Sequence, residues 1–385
     1  MQRMNIGIIH VGAPAGGMNS ATRSAVAYCL SRGHKPWAIH NGFPGLVRHH
    51  KDKPIGSVRP LNWLQVEGWI SRGGSEIGTN RDLPSKVGIA ATADCLKEWK
   101  FDALFLIGGF EAYTALSEMR HARDTHPAFR IPMVLLPATI SNNVPGTEYS
   151  LGSDTCLDAL VSYCDMIKQS ASASRRRVFV VETQGGRSGY IATMGALAIG
   201  ALAVYTPEEG IDLAMLQRDI QHLRESFASD AGHSRSGKLI LNSEHSSTTY
   251  KTDLIAAMIR EESNGRFESR HAIPGHVQQG GTPSPGDRVR AVRLAVKCIQ
   301  RLESYAGKSP EQVAGDDDAY SVIGIISANV VFGAMARLEQ DDTNWKDRRP
   351  KREAWMEDKV VVDILSGRPE RRDCCERCGR KDRAV

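Results

Sequence analysis

The sequence has no hydrophobic run long enough to span a bilayer. Its longest apolar stretch, MGALAIGALAVY at 194–205, stops short of the roughly 20 residues a membrane helix needs. The opening MQRMNIGIIH has neither an adequate apolar core nor a small-residue cleavage site, so no secretory signal is read there. The expectation is a soluble, cytoplasmic protein. Charge of one sign is scarce as well: of 49 Lys+Arg and 44 Asp+Glu, residues 346–385 hold 13 and 9, which leaves 36 and 35 before them. That near-neutrality gives no general nucleic-acid footprint.

Paired cysteines are missing too. Five of the eight cysteines (Cys29, Cys95, Cys156, Cys164 and Cys298) are scattered through apolar or helical surroundings, which suits reduced core residues rather than a disulfide framework. The other three stand in Cys374-Cys375-Glu376-Arg377-Cys378, without the second ligand pair that a structural zinc site normally has. A disordered basic tail is the reading there, and a structural metal is the competing one. No GxGxxG turn with a following ribose-binding acid appears, and no GxxxxGK[ST].

Apolar residues make up 41% of 385, enough for a substantial core. Short β-rich runs alternate with helical patterns: NIGIIHV (5–11) then 20–32, and DALFLI (102–107) then 111–123, followed by PMVLLP (132–137), RVFVVE (177–182) and KLILNSE (238–244). Such alternation predicts βαβ units, a mostly parallel sheet and an α/β fold in two lobes, with a cleft at the carboxyl ends of the strands. Asn19 or Ser20 is expected to cap the first helix and Asp154 or Thr155 the helix before Ser170, with a loop at 170–174.

Two strand ends run into glycines. Gly12, Gly16 and Gly17 precede a helix start, and Gly108-Gly109 repeats that pattern. Such turns let the backbone approach a ligand, and a helix N-terminus favours phosphate. A plain strand-to-helix turn is the competing reading. Phe110-Glu111-Ala112 follows the second pair, and an aromatic ring cannot hold a magnesium ion.

GAPAGGMN (12–19), SRGGSEIGTNR (71–81), IGGFEA (107–112), PATISNNVPGTEYSLGSDT (137–155), VVETQGGRSGY (180–190), NSEH (242–245) and GHVQQGG (275–281) stand in one order. That order resembles the ATP-dependent 6-phosphofructokinase family over nearly the whole chain, to about Asp358. The resemblance implies the fold of that family, two α/β lobes with mostly parallel sheets sandwiched by helices and a cleft between them. It sets lobes at 1–140 with 265–335 and at 141–264, a helical segment at 336–365 and a basic, disordered tail at 366–385.

Active members carry GGDGS and PGTIDND loops, whose aspartates hold Mg-ATP and act as the general base. Phe110 and Ser141 stand at those places, so no catalytic residue and no resident metal or cofactor is expected. The chain is similar to the carboxyl-terminal half of the duplicated eukaryotic enzyme, particularly a fungal one, whose second active site has become an effector site. A serine and two asparagines offer donors and acceptors without a basic group of useful pKa.

By the same resemblance, Arg81, Arg177, Arg270 and Arg348 would neutralise the phosphates of fructose 2,6-bisphosphate, because a guanidinium fork matches phosphate oxygens. Glu244 would accept from the sugar hydroxyls. Thr139, Ile140, Ser141, Asn142, Asn143, Gln184, Gly185, Gly186, His276, Val277, Gln278 and Gln279 would complete the walls. Gln279 stands where an arginine is common, which shifts phosphate recognition onto the other arginines. Arg23, Arg72 and Lys238 match positions around a second, regulatory nucleotide pocket. Taken singly, these arginines read as solvated surface charge and Glu244 as a polar strand end.

The implied partners are an amino-terminal catalytic half or other phosphofructokinase subunits, which would complete the pockets, and Mg-ATP serves the whole enzyme only. The alternatives are an autonomous sugar kinase using Glu111 or Asp154, and a nucleotide-binding or zinc-dependent nucleic-acid module.

Overall fold

The computed structural model describes residues 2–48, 57–230 and 237–368. Its strands, in chain order, are β1 (Asn5–Val11), β2 (Lys35–Ile39), β3 (Val58–Pro60), β4 (Ala103–Gly108), β5 (Met133–Pro137), β6 (Arg177–Thr183), β7 (Ala203–Tyr205), β8 (Lys238–Ser243), β9 (Glu268–Ala272), β10 (Tyr320–Ile326) and β11 (Asn329–Ala334), with two-residue bridging strands beyond them. The chain divides into two compact units. One comprises the described residues of Met1–Leu160 and His276–Ala354, the other those of Val161–Gly275 and Trp355–Val385. The sequence placed these divisions at 140/141 and 264/265, with a separate segment at 336–365.

In the first unit the sheet order is β11-β10-β5-β4-β1-β2-β3. Its centre is parallel, and antiparallel partners β3 and β11 lie at the edges. β4 and β5 are buried along their whole length, as continuous apolar runs covered on both faces must be. Helices Met18–Ser31 and Pro285–Glu303 pack with Ile6, Ile8, Phe105 and Val134 on one side. Helix Phe110–Ala122 packs with Ile9, Leu104 and Leu106 on the other.

The second unit has the order β7-β8-β6-β9, parallel throughout. Val178, Val180 and Ile240 form its core with Leu216, Leu223 and Ile255 from the helices. Among the described residues no helix is long and apolar enough to cross a membrane.

Three local expectations are corrected. Asn19 and Ser20 do not cap the first helix: it starts at Met18 behind Gly17, whose φ of 94° turns the chain without a side-chain cap. Asp154 and Thr155 lie inside the first turn of Ser153–Ser174. The loop expected at 170–174 is helix to its last residue, because the Ala/Ser run contains no breaker and Ala171 is buried.

Cys29, Cys156, Cys164 and Cys298 are buried and Cys95 half-buried, all as free thiols. Burial pushes the Cys29, Cys156 and Cys164 thiols up to about 12, which removes the reactive thiolate near neutral pH. Cys374, Cys375 and Cys378 lie outside the described residues, as does the tail from 369 onward.

Helix Met356–Leu365 closes the second unit through buried charge. Lys359 reaches Glu209 at 3.0 Å and Asp363 at 2.8 Å. Arg368 grips both oxygens of Asp219, at 2.8 and 2.7 Å, and lies over the Tyr205 ring. Arg368→Ala would leave Asp219 buried without its cation. The expected cost is about 3–5 kcal/mol, read as a lower urea midpoint, and an unchanged midpoint would contradict the assignment.

Candidate functional site

In the first unit the glycine-rich blocks converge because only glycine fits where they touch. A Cβ on Gly73 would stand 1.8 Å from the Gly281 carbonyl oxygen, and one on Gly280 would stand 2.7 Å from that of Thr155. Thr155 in turn donates from its amide and hydroxyl to buried Asp287, at 2.8 and 2.5 Å. Gln278 reaches Cys156 Sγ at 3.3 Å and is buried, whereas His276 and Val277 are exposed and Gln279 half-buried.

The first helix holds the 70–76 segment. Asn19 donates to the Arg72 and Gly73 carbonyls and accepts from the Glu76 amide, and Ser20 donates to the Ile70 carbonyl. Fully buried His10 lies between Ser75 Oγ and Thr22 Oγ1, each at 2.7 Å. The segment's far end is stitched to the β1 turn: the Gly12 amide donates to the Asn80 carbonyl and Thr79 Oγ1 to the Gly12 carbonyl, both at 2.8 Å. Arg81 follows as an exposed residue.

The loop after β5 folds on Asn142, which adopts φ 48°. Its amide donates to the Glu148 carbonyl at 2.7 Å and accepts from the Ser150 amide at 2.6 Å, so this buried side chain shapes the loop from within. Thr139 Oγ1 accepts from the Ser141 amide at 3.2 Å. Thr139, Ile140 and Ser141 remain half-buried at the loop surface. Asn143 donates to the Arg348 carbonyl at 2.8 Å, and its own buried carbonyl oxygen is without a hydrogen bond.

Next to it, the turn after β4 is filled by the protein itself. Phe110 packs edge-on against Trp345, centroids 5.7 Å apart, and both rings contact Tyr113. The Glu111 carboxylate meets Arg348 at 2.8 Å, and that guanidinium carbon lies 5.4 Å above the Phe110 ring. A Cβ on Gly12 would stand 3.1 Å from Glu111 Oε2, so this carboxylate lies over the first glycine turn. The residues present therefore do not fit Mg-ATP. An aromatic ring stands where the resemblance puts a metal ligand, and the neighbouring carboxylate is already paired. Arg348, expected on a phosphate, is engaged by Glu111 and Phe110.

In the second unit, the turn after β6 closes on Glu244, whose Oε1 accepts from the amides of Gly185 and Gly186 at 3.1 and 2.8 Å. Gly186 has φ 60°, the left-handed conformation such a turn needs. Gln184 lies in this turn and is half-buried. Arg177 and Arg270 come from the adjacent strands β6 and β9.

Of the second-pocket residues, Arg23 stacks on Trp63 at 4.9 Å and Arg72 pairs with Glu76 at 3.2 Å, both in the first unit. Lys238, in the second, donates to Ser226 Oγ at 2.8 Å. Sequence reading gave Trp345 and Glu268 no role. The signal for Glu268 was its position two residues before Arg270 in a strand.

Fold and site define an α/β protein whose glycine turns follow parallel strands, with Phe110 and Glu111 after the second turn and Ser141 in the loop after β5. The family model Phosphofructokinase matches residues 5–302. The chain belongs to the phosphofructokinase family. It is 63% identical over 370 residues to an ATP-dependent 6-phosphofructokinase of Aspergillus fumigatus, covering 95% of this chain and 46% of that protein. It is 52% identical to an ATP-dependent 6-phosphofructokinase subunit beta of Komagataella phaffii, covering 95% of this chain and 39% of that one. The crystal structure of Pichia pastoris phosphofructokinase in the T-state superposes with a TM-score of 0.89 at 50% identity, over 96% of this chain and 42% of that chain. The chain thus spans less than half the length of these relatives.

Burial, with His40 nearby, lowers the His10 pKa from 6.5 to about 3. Folding therefore favours neutral His10, and its contribution is complete above about pH 6.5 and is lost as pH falls from there toward 3. The expected slope from this one site is up to about 1.4 kcal/mol per pH unit. Urea midpoints of the wild type and of His10→Gln across pH 4–7 check this, and parallel curves would refute it.

Proposed function

We propose that this chain is the carboxyl-terminal, regulatory half of an ATP-dependent 6-phosphofructokinase, which converts ATP and fructose 6-phosphate to ADP and fructose 1,6-bisphosphate. The half itself is catalytically silent and binds fructose 2,6-bisphosphate as an activator. The observation that carries this reading is the Phe110–Trp345 packing with the Glu111–Arg348 pair, which fills the turn that a nucleotide phosphate and its magnesium would need. The sugar-side loop supports it: Ser141 and Asn143 supply hydrogen-bonding groups without a base. The relatives' greater length supports it as well.

Removal of a carboxylate from the sugar loop also removes repulsion toward a second phosphate. Arg177 and Arg270 of the second unit, and Arg81 of the first, are each offered to a phosphate, and Arg348 becomes available only by leaving Glu111. The amino-terminal half or a neighbouring subunit, in a homo- or hetero-oligomer of cytoplasmic glycolysis, completes the pocket. An activator that favours the active arrangement by about 1–3 kcal/mol changes sugar affinity roughly 5- to 150-fold.

The autonomous-kinase reading is the weaker one. Glu111 is paired with Arg348, and Asp154 accepts from the Ser284 hydroxyl with Arg290 at 4.0 Å. Each already has a partner among the protein's own groups.

Titration calorimetry with fructose 2,6-bisphosphate, fructose 6-phosphate and Mg-ATP, with and without an amino-terminal half, tests the proposal. The bisphosphate is expected to bind the assembled protein far more tightly than the chain alone. The chain alone is expected to show no ATP turnover. Turnover by the lone chain at the roughly 1–100 per second typical of kinases would refute the reading, as would an assembled protein that leaves the bisphosphate unbound.

A further inference from the structure

Strands β6 and β9 run parallel with Arg177 opposite Glu268 and Phe179 opposite Arg270. Side chains two apart in a strand share a face. Glu268 and Arg270 therefore point to the same side, and Ser269 between them is buried. The register alone thus brings one carboxylate to two guanidiniums.

The contacts follow that placement. Arg177 donates to Glu268 Oε2 through Nε at 2.9 Å and Nη2 at 2.6 Å, and its Nη1 donates to Ser170 Oγ at 2.9 Å. The other carboxylate oxygen of Glu268 lies 3.6 Å from Arg270 Nη2. Ser170 is in place because its helix continues to Ser174. The Arg177 side chain is only 18% exposed, whereas Glu268 and Arg270 are 54% and 57% exposed. Arg177 is thus held by three hydrogen bonds, whereas Glu268 stands on the edge strand β9 as the more exposed partner.

We propose that Glu268 is a specificity-determining residue of the anion site, an internal carboxylate that occupies Arg177 and Arg270 until a phosphate ester displaces it. The inference rests on the reading of these two arginines as phosphate ligands. A monoanionic carboxylate ligand exchanges like for like with Glu268 and gains little. A phosphate brings nearly two charges and three acceptor oxygens, enough to satisfy both guanidinium forks together. The site then rejects carboxylate metabolites while it accepts sugar phosphates. Hydrogen bonds and charge from Arg177, then Arg270, hold the Glu268 carboxyl below the usual range, so the competitor stays ionised at neutral pH.

The test titrates the full 385-residue chain and its Glu268→Gln variant with inorganic phosphate and with acetate at fixed ionic strength. Fructose 2,6-bisphosphate is titrated into both after assembly with an amino-terminal half. Glu268→Gln is expected to bind phosphate roughly 2- to 5-fold more tightly, the scale of an exposed ion pair. Its preference for phosphate over acetate is expected to fall. Equal or weaker phosphate binding by the folded variant overturns the proposal. If Glu268→Gln does not fold by circular dichroism, Glu268→Asp decides. Its carboxylate retreats by one methylene from Arg177, so tighter phosphate binding supports the proposal and unchanged binding overturns it. Tighter phosphate binding with no bisphosphate bound by either protein would leave the role of Glu268 standing and remove the bisphosphate reading. Bisphosphate bound equally by both proteins, with phosphate affinity unchanged, would do the reverse.

Discussion

The Arg348 guanidinium lies 2.8 Å from the Glu111 carboxylate and over the Phe110 ring, while its backbone carbonyl accepts from the Asn143 amide. These contacts tie the turn after β4 to the loop after β5, two strands that are neighbours in the sheet. Charge pairing neutralises the only acid of the GGFEA turn, and ring contact covers the face of Phe110. Together they fill the turn after β4 and hold the loop after β5 beside it.

The same economy governs the other acids beside the candidate groups. Glu244 takes the two amides of the Gly185-Gly186 turn, Asp154 takes the Ser284 hydroxyl, Asp287 takes Thr155, and Glu268 takes Arg177. A general base needs a carboxylate whose lone pairs face the substrate. Here at least one oxygen of each carboxylate is taken by the protein's own donors.

Much of the fold was readable in advance. Runs such as NIGIIHV and DALFLI are strands because apolar stretches bounded by glycine turns have little else to form, and the observed β1 and β4 match them to within a residue. The glycine-bearing motifs were readable as a family pattern, and the steric reason appears only where Gly73 meets Gly281 and Gly280 meets Thr155. Caps were misread. Asn19 and Ser20 have the right chemistry to cap, but burial assigns their hydrogen bonds to the 70–76 segment. The Ser170–Ser174 loop was misread because local propensity does not register that Ala171 is buried.

The sequence by itself determined most strands and helices, the family, and the presence of Phe110 and Ser141 in the two loops after β4 and β5. These are properties of residue identity and order, and they survive any packing. Only the tertiary structure decided which charges meet: Arg348 with Glu111, Arg177 with Glu268, and Asn142 turned into its own loop. Such pairings depend on strand register and on contacts between residues more than two hundred positions apart, and no local pattern of side chains encodes those distances.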